Sequence, residues 1–205
     1  DWIYDVATLI KQSGWQQVNI IGHSMGGMIG SVLAAVMPQL VNRLVLIDSL
    51  GLVTGEASKI TEQIRTVIQH RWQSPLKQKP VYNDVQSAAL ARQSQSDFDF
   101  ATALILTQRG TRPCAEGVTW SADMRLRESS AYRLLLPQVT QLLQDIRCPV
   151  LAILATDGLQ MMQQARQHYQ HCYRQLELTE VSGGHHCHMT QPEQTAKAIR
   201  QFLLS

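Results

Sequence analysis

Apolar residues recur at helical spacing over residues 2–13. Ile3, Val6, Leu9 and Ile10 share one face, and Ser13-Gly14 supplies the stop. A short apolar run, Val18-Asn19-Ile20-Ile21, then predicts a strand. The segment Gly22-His23-Ser24-Met25-Gly26-Gly27 follows. From Met28 to Met37 the chain is apolar or small on nearly every side, as in a buried helix, until Pro38 ends it. Arg43-Leu44-Val45-Leu46-Ile47-Asp48 predicts a second strand. Strand, helix and strand at this spacing form a βαβ unit, hence a parallel sheet with helices on its faces.

The texture changes between residues 51 and 147. Strand-like apolar runs vanish, and segments near 56–71, 84–93, 97–109 and 137–145 read as helices. Pro75, Pro80 and the Gly-, Thr- and Pro-bearing stretch 110–120 separate them. Pro149-Val150-Leu151-Ala152-Ile153-Leu154 then resumes the sheet. A helix near 160–172, a strand at 175–181, a Gly/His loop at 183–188 and a last helix at 192–204 complete the pattern. The expected fold class is α/β, in three stretches. Residues 1–50 and 148–205 form a mostly parallel core with flanking helices, and 51–147 is a helical lid insertion.

Composition narrows the picture. The 205 residues are 44% hydrophobic and 17% charged, a globular balance that excludes wholesale disorder. No apolar run approaches the roughly 18 residues of a membrane span. Eighteen basic and sixteen acidic residues leave a formal charge of +2, which argues against nucleic acid or an acidic membrane surface as partner. Cys114, Cys148, Cys172 and Cys187 form no CxxC and no dense framework, and the first residues show no signal peptide. Free thiols in the cytoplasm are the expectation.

Gly22-His23-Ser24-Met25-Gly26 fits the pattern G-x-S-x-G between a strand and a helix. A serine there sits on a sharp, strained turn that lifts its hydroxyl above the sheet. The glycines two residues either side are expected to remove clashing Cβ atoms. The next helix points its N-terminus at the site, so the backbone N–H of Met25 is the expected oxyanion donor.

The segment Gly14 to Gly27 resembles the nucleophile region of α/β-hydrolases, and Arg43–Asp48 resembles the next strand of that fold. Gly184-His185-His186-Cys187-His188-Met189-Thr190-Gln191-Pro192-Glu193 resembles the loop that carries the catalytic histidine into the last helix. Gly117-Val118-Thr119-Trp120, with Asp123 and Arg125-Leu126, is similar to the serine hydrolase-like branch. The resemblance implies an α/β-hydrolase fold and cleavage of a carboxylic ester or related small acyl substrate without a cofactor.

A serine hydroxyl needs a base within hydrogen-bond reach, and this fold runs in the chain order Ser…Asp…His. Of seven histidines, His185 is the expected base, because it follows Gly184 and precedes Pro192 as the family's loop has it. His186 and His188 are expected to pack the loop. His23 is expected to pack beside the nucleophile and line the substrate site rather than act as base, since neighbours on a tight turn do not face each other. Asp157, in Ala155-Thr156-Asp157-Gly158, is the expected acid, although the family usually has Gly at the position of Ala155. Asp48 is the alternative. The His185–His188 cluster is too tightly spaced for a zinc site, so no metal is expected.

In the insertion, Trp120 is expected to contact substrate, while Trp72, Phe98 and Phe100 either line a pocket or form the lid's own core. The strand at 18–21 should be central in such a sheet, yet no earlier segment pairs with its other edge or supplies a second oxyanion donor. An N-terminally incomplete chain is therefore the expectation. A non-catalytic member of the fold is the competing reading. Acyl-chain length, leaving group and oligomeric state stay open.

Overall fold

The computed structural model describes residues 2–73, 78–128 and 130–205, with the backbone alone at Arg125 and Arg127. Asp1, Pro75 and the side chain of Arg125 lie outside the described residues. The chain divides into two compact units, Asp1–Thr54 with Leu134–Ser205, and Gly55–Arg133.

The first unit is built on a four-stranded parallel sheet. Its strands are β1 (Val18–His23), β2 (Val41–Ile47), β6 (Val150–Ala155) and β7 (Leu176–Val181), in that spatial order. The uninterrupted apolar runs of β2 and β6 have a direct cause: both strands are covered on both faces. Leu44, Leu46, Val150 and Ala152 point to one side. There they meet Ile10 of α1 (Trp2–Gln12), Leu33 and Ala34 of α2 (Met25–Val36), Val139 and Leu143 of α6 (Leu136–Asp145), and Met162, Ala165 and Tyr169 of α7 (Gln160–Tyr169). Val45, Ile47, Leu151 and Ile153 point to the other side. They pack on Phe202, Ala198, Ile199 and Leu203 of α9 (Pro192–Leu204) and on Cys187, which opens the short α8 (Cys187–Thr190). Among the described residues β1 is the terminal strand on its side, and Ile21 is 51% exposed.

The second unit holds α3 (Ile60–Gln73), α4 (Val85–Gln93) and α5 (Phe100–Gly110). Asp84 and Asp99 cap the last two by accepting from the backbone N–H of Ser87 (2.6 Å) and Thr102 (2.9 Å). These bonds hold both carboxyls below the usual aspartate range. Ala89, Phe98 and Ala103 form the unit's own core, with Phe100 beside them, while Trp72 is 75% exposed.

Two readings of the insertion are corrected. The stretch 51–147 is not free of strands: β3 (Val81–Tyr82), β4 (Thr111–Cys114) and β5 (Gly117–Trp120) make an antiparallel sheet in the order β3-β5-β4. Strands of two to four residues are too short to carry a period-2 signal, which is why the pattern hides them. The compact unit is also narrower than 51–147, because α6 packs into the sheet core of the first unit through Val139 and Leu143. Among the described residues no helix is long and apolar enough to cross a membrane.

Candidate active site

β1 runs straight into Ser24, and α2 starts at the next residue, so the strand-to-helix turn spans a single residue. Ser24 adopts φ 52 and ψ −121. The turn is held by backbone hydrogen bonds: Ser24 N–H donates to the Ile47 carbonyl of β2 (3.1 Å), and Gly27 N–H donates to the Ser24 carbonyl (3.0 Å). The Ser49 hydroxyl donates to that same carbonyl at 2.7 Å. A Cβ at Gly22 would lie 2.5 Å from the Gly26 carbonyl oxygen, so glycine is required there. The second crowded position is Gly27 and not the expected Gly26. A Cβ at Gly27 would lie 2.5 Å from the Ser49 hydroxyl, whereas one at Gly26 would meet nothing within 4 Å. The flanking strand loop, absent from the motif itself, decides which glycine matters.

Ser24 and the far end of the chain meet. His185 Nε2 lies 2.9 Å from Ser24 Oγ, and His185 Nδ1 lies 2.6 Å from Asp48 Oδ2. A carboxylate only accepts, so Nδ1 carries the ring proton and Nε2 presents its lone pair to the hydroxyl. Ser24, His185 and Asp48 therefore form one hydrogen-bonded relay.

Asp157, the acid that the sequence puts first, does not reach His185. β6 stops at Ala155, and the chain turns there. The Asp157 N–H donates to the Gly183 carbonyl (2.9 Å), and its carboxylate accepts from the Thr156 hydroxyl (3.1 Å) on the exposed surface. Asp48 instead caps β2, the strand between β1 and β6, with φ 41. Its residue is 1% exposed, and its Oδ1 accepts from the backbone N–H of Ala155 at 3.2 Å. Among the described residues, Ser24 and Asp48 are the non-glycine positions with positive φ. Strain of this kind persists where the surroundings over-determine it, and it gathers at working sites. The sequence does carry one pointer to Asp48: an unbroken apolar strand leads into it and Leu50 follows, a buried setting for a carboxylate. Asp157 sits in a Thr-Asp-Gly turn.

The other three residues, Met25, His23 and Trp120, differ in their surroundings. Met25 opens α2, so its N–H belongs to the first helical turn, which has no intrahelical acceptor. Its side chain is half exposed. His23 packs on the histidine loop: its Nε2 lies 2.8 Å from the His185 carbonyl oxygen. Its ring centroid is 4.6 Å from that of His185, 5.3 Å from that of His186 and 4.2 Å from that of His188. Burial pushes the His23 imidazole down from 6.5 to about 4; the bond to the His185 carbonyl opposes this, and the three neighbouring histidines add to it. Trp120 ends β5 in the second unit, where its ring leaves no room for a Cβ on Gly110. Among the described residues no three of His, Cys, Asp and Glu are grouped to hold a metal ion.

Comparison with known proteins agrees with this architecture. A serine hydrolase-like protein of Danio rerio is 26% identical over 212 residues, which cover 98% of this chain and 65% of that protein. Serine hydrolase-like protein 2 of Homo sapiens is 26% identical over 222 residues, covering 98% of this chain and 70% of its own. The chain thus spans about two thirds of the length of these relatives. The crystal structure of the hypothetical protein PA1622 from Pseudomonas aeruginosa PAO1 superposes with a TM-score of 0.89 at 29% identity, covering 99% of this chain and 73% of that one. The thioesterase domain from the curacin biosynthetic pathway shares the fold, with a TM-score of 0.79 at 24% identity over 97% of this chain and 71% of its own. The family profile described as "alpha/beta hydrolase fold" matches residues 1–192, and with a parallel sheet, a strand-to-helix serine turn and a histidine loop in the matching order, the chain belongs to the alpha/beta hydrolase fold family.

Proposed function

We propose that the protein is a serine hydrolase that cleaves a carboxylic ester or a related acyl substrate through Ser24, His185 and Asp48. The observation that carries this reading is the continuous relay, 2.9 Å from hydroxyl to imidazole and 2.6 Å from imidazole to carboxylate. The serine hydrolase-like relatives support it.

The chemistry follows from the tautomer. Ser24 Oγ attacks the acyl carbonyl carbon while its proton passes to His185 Nε2. The ring becomes an imidazolium, and Asp48 stabilises that charge at Nδ1–H. Negative charge collects on the carbonyl oxygen, and the Met25 N–H at the start of α2 is the donor aimed at it. Collapse of the tetrahedral species expels the alcohol, which takes the proton from Nε2 and leaves an acyl-serine. Water, deprotonated by His185, attacks the acyl-serine and releases the acid and Ser24 Oγ–H. A serine at this position excludes the routes that begin with a carboxylate nucleophile on the same fold. Asp48 takes the role that the sequence assigned first to Asp157.

The test is covalent labelling. A fluorophosphonate probe should modify Ser24 and leave Ser24→Ala untouched, and p-nitrophenyl esters of rising chain length should be turned over by the first protein and not by the second. Turnover in the variant is expected to fall by about 10⁴-fold or more. An unlabelled Ser24, with no ester hydrolysed, overturns the reading and leaves a non-catalytic member of the fold.

A further inference from the structure

The relay explains how the imidazole of His185 is aimed, but not what holds the backbone it hangs from. The loop from Gly183 to His188 has a firm start. Gly183 N–H donates to the Thr156 hydroxyl (3.2 Å), and the Gly183 carbonyl accepts from Asp157 N–H (2.9 Å). Beyond that point Cys187 N–H closes a turn on the Gly184 carbonyl (2.9 Å), a bond internal to the loop. Among the described residues, the main chain of His185 is tied to the body of the sheet by the 2.8 Å contact from its carbonyl to His23 Nε2 at the end of β1.

We propose that His23 is a positioning residue for the general base: its Nε2–H, donated to the main-chain carbonyl of His185, fixes the backbone from which that imidazole reaches Ser24. A carbonyl oxygen only accepts, so this contact assigns the ring proton of His23 to Nε2. The choice of residue has a physical reason. A lysine or arginine could reach the same carbonyl, but either would set a permanent positive charge beside a ring that must become cationic during turnover. The His23 and His185 ring centroids are 4.6 Å apart, a separation at which like charges repel appreciably in a partly buried site. Half-buried between His185, His186 and His188, His23 stays neutral at ordinary pH, because burial lowers its pKa to about 4. It therefore donates a hydrogen bond without adding charge. The arrangement ties the two halves of the reaction together, since Ser24 and its neighbour His23 leave the same strand end, one toward the ring of His185 and the other toward its backbone.

This inference rests on the serine hydrolase reading, and its test separates the two. In the wild-type protein, long-range ¹H–¹⁵N correlation spectra should show His23 as the Nε2–H tautomer. The Nδ1–H tautomer would leave the carbonyl without its donor and overturn the proposal, whether or not any variant folds and whether or not Ser24 reacts. Fluorophosphonate labelling of His23→Leu should then be about 10- to 100-fold slower than wild type, the scale of loss that a misplacement near 1 Å produces. His23→Gln, a neutral side chain with an N–H donor, should recover most of that rate. On p-nitrophenyl acetate the loss in His23→Leu should appear in kcat with KM nearly unchanged, as follows if His23 places the base and does not bind the substrate. The low-field Nδ1–H resonance of His185 should broaden in His23→Leu and stay sharp in His23→Gln. Wild-type labelling by His23→Leu, equal losses in the Leu and Gln variants, or a loss confined to KM would each overturn the proposal.

Discussion

At the C-terminal end of β2 an aspartate is buried, strained and bonded to the imidazole of His185; at the same end of the neighbouring β6 another is exposed and bonded to its own neighbour. The two strands are adjacent and parallel, and the paired stretches Leu44 to Ile47 and Val150 to Ile153 are both wholly apolar. Their ends nevertheless divide the labour. Asp48 supplies the carboxylate. The β6 end supplies the cradle: the Ala155 N–H that fixes Oδ1, the missing Cβ at Gly158 that lets the carboxylate approach, and the Thr156 and Asp157 contacts that anchor Gly183 at the root of the histidine loop. A strand-end aspartate is thus defined by what surrounds it more than by where it falls in the chain.

The sharpest way to break this comparison is to neutralise the two carboxylates separately. Asp48→Asn should lower ester turnover by about 10⁴-fold, because an amide no longer holds His185 in the Nδ1–H tautomer. Asp157→Asn keeps its backbone N–H to Gly183 and should stay close to wild type. The reverse result in steady-state kinetics would return the acid to β6.

A smaller effect comes from filling the cradle. A Cβ at Gly158 would sit 2.7 Å from Asp48 Oδ1 and 2.9 Å from Oδ2, so the carboxylate bonded to His185 or the turn that carries Gly158 must shift. Gly158→Ala should slow turnover by about 10- to 100-fold with the protein still folded, measured as kcat beside a thermal melt. Unchanged kinetics would mean that the β6 end does not position Asp48.

The smallest effect concerns pH. His23 in the folded chain is held neutral down to about 4, while its ordinary value is 6.5. Between those values the unfolded chain binds a proton that the folded one refuses, so stability falls as pH drops from 6.5 toward 4 and this contribution levels off below. His23→Gln removes it. Thermal melts from pH 7 to pH 4 should therefore decline more steeply for wild type than for His23→Gln; parallel curves would show that His23 titrates as an ordinary surface histidine.

The difference in legibility between the elements has a physical basis. The serine turn is local: strand, glycine, serine and helix lie within a dozen residues, and the geometry is imposed by backbone sterics that any reader of the chain can see. Even there the assignment of the second crowded glycine slips from Gly27 to Gly26, because the obstructing atom belongs to Ser49, on the next strand's end. The small sheet β3-β5-β4 is illegible for another reason. Its strands are shorter than the pattern that would betray them, and Pro113 stands on an outer one, where a missing N–H costs nothing.

By itself the sequence determined the α/β architecture and the strained serine turn, since each is written in a contiguous stretch whose apolar period or glycine spacing permits one local geometry; the histidine loop was legible through its resemblance to the family's loop. The sequence did not determine the carboxylate of the relay or the task of His23. Those depend on the lateral order of strands, which brings Asp48 within 2.6 Å of a ring 137 residues further on and His23 within 2.8 Å of a carbonyl 162 residues further on. Such pairings are set by packing of a sheet buried on both faces, and no short stretch of chain contains them.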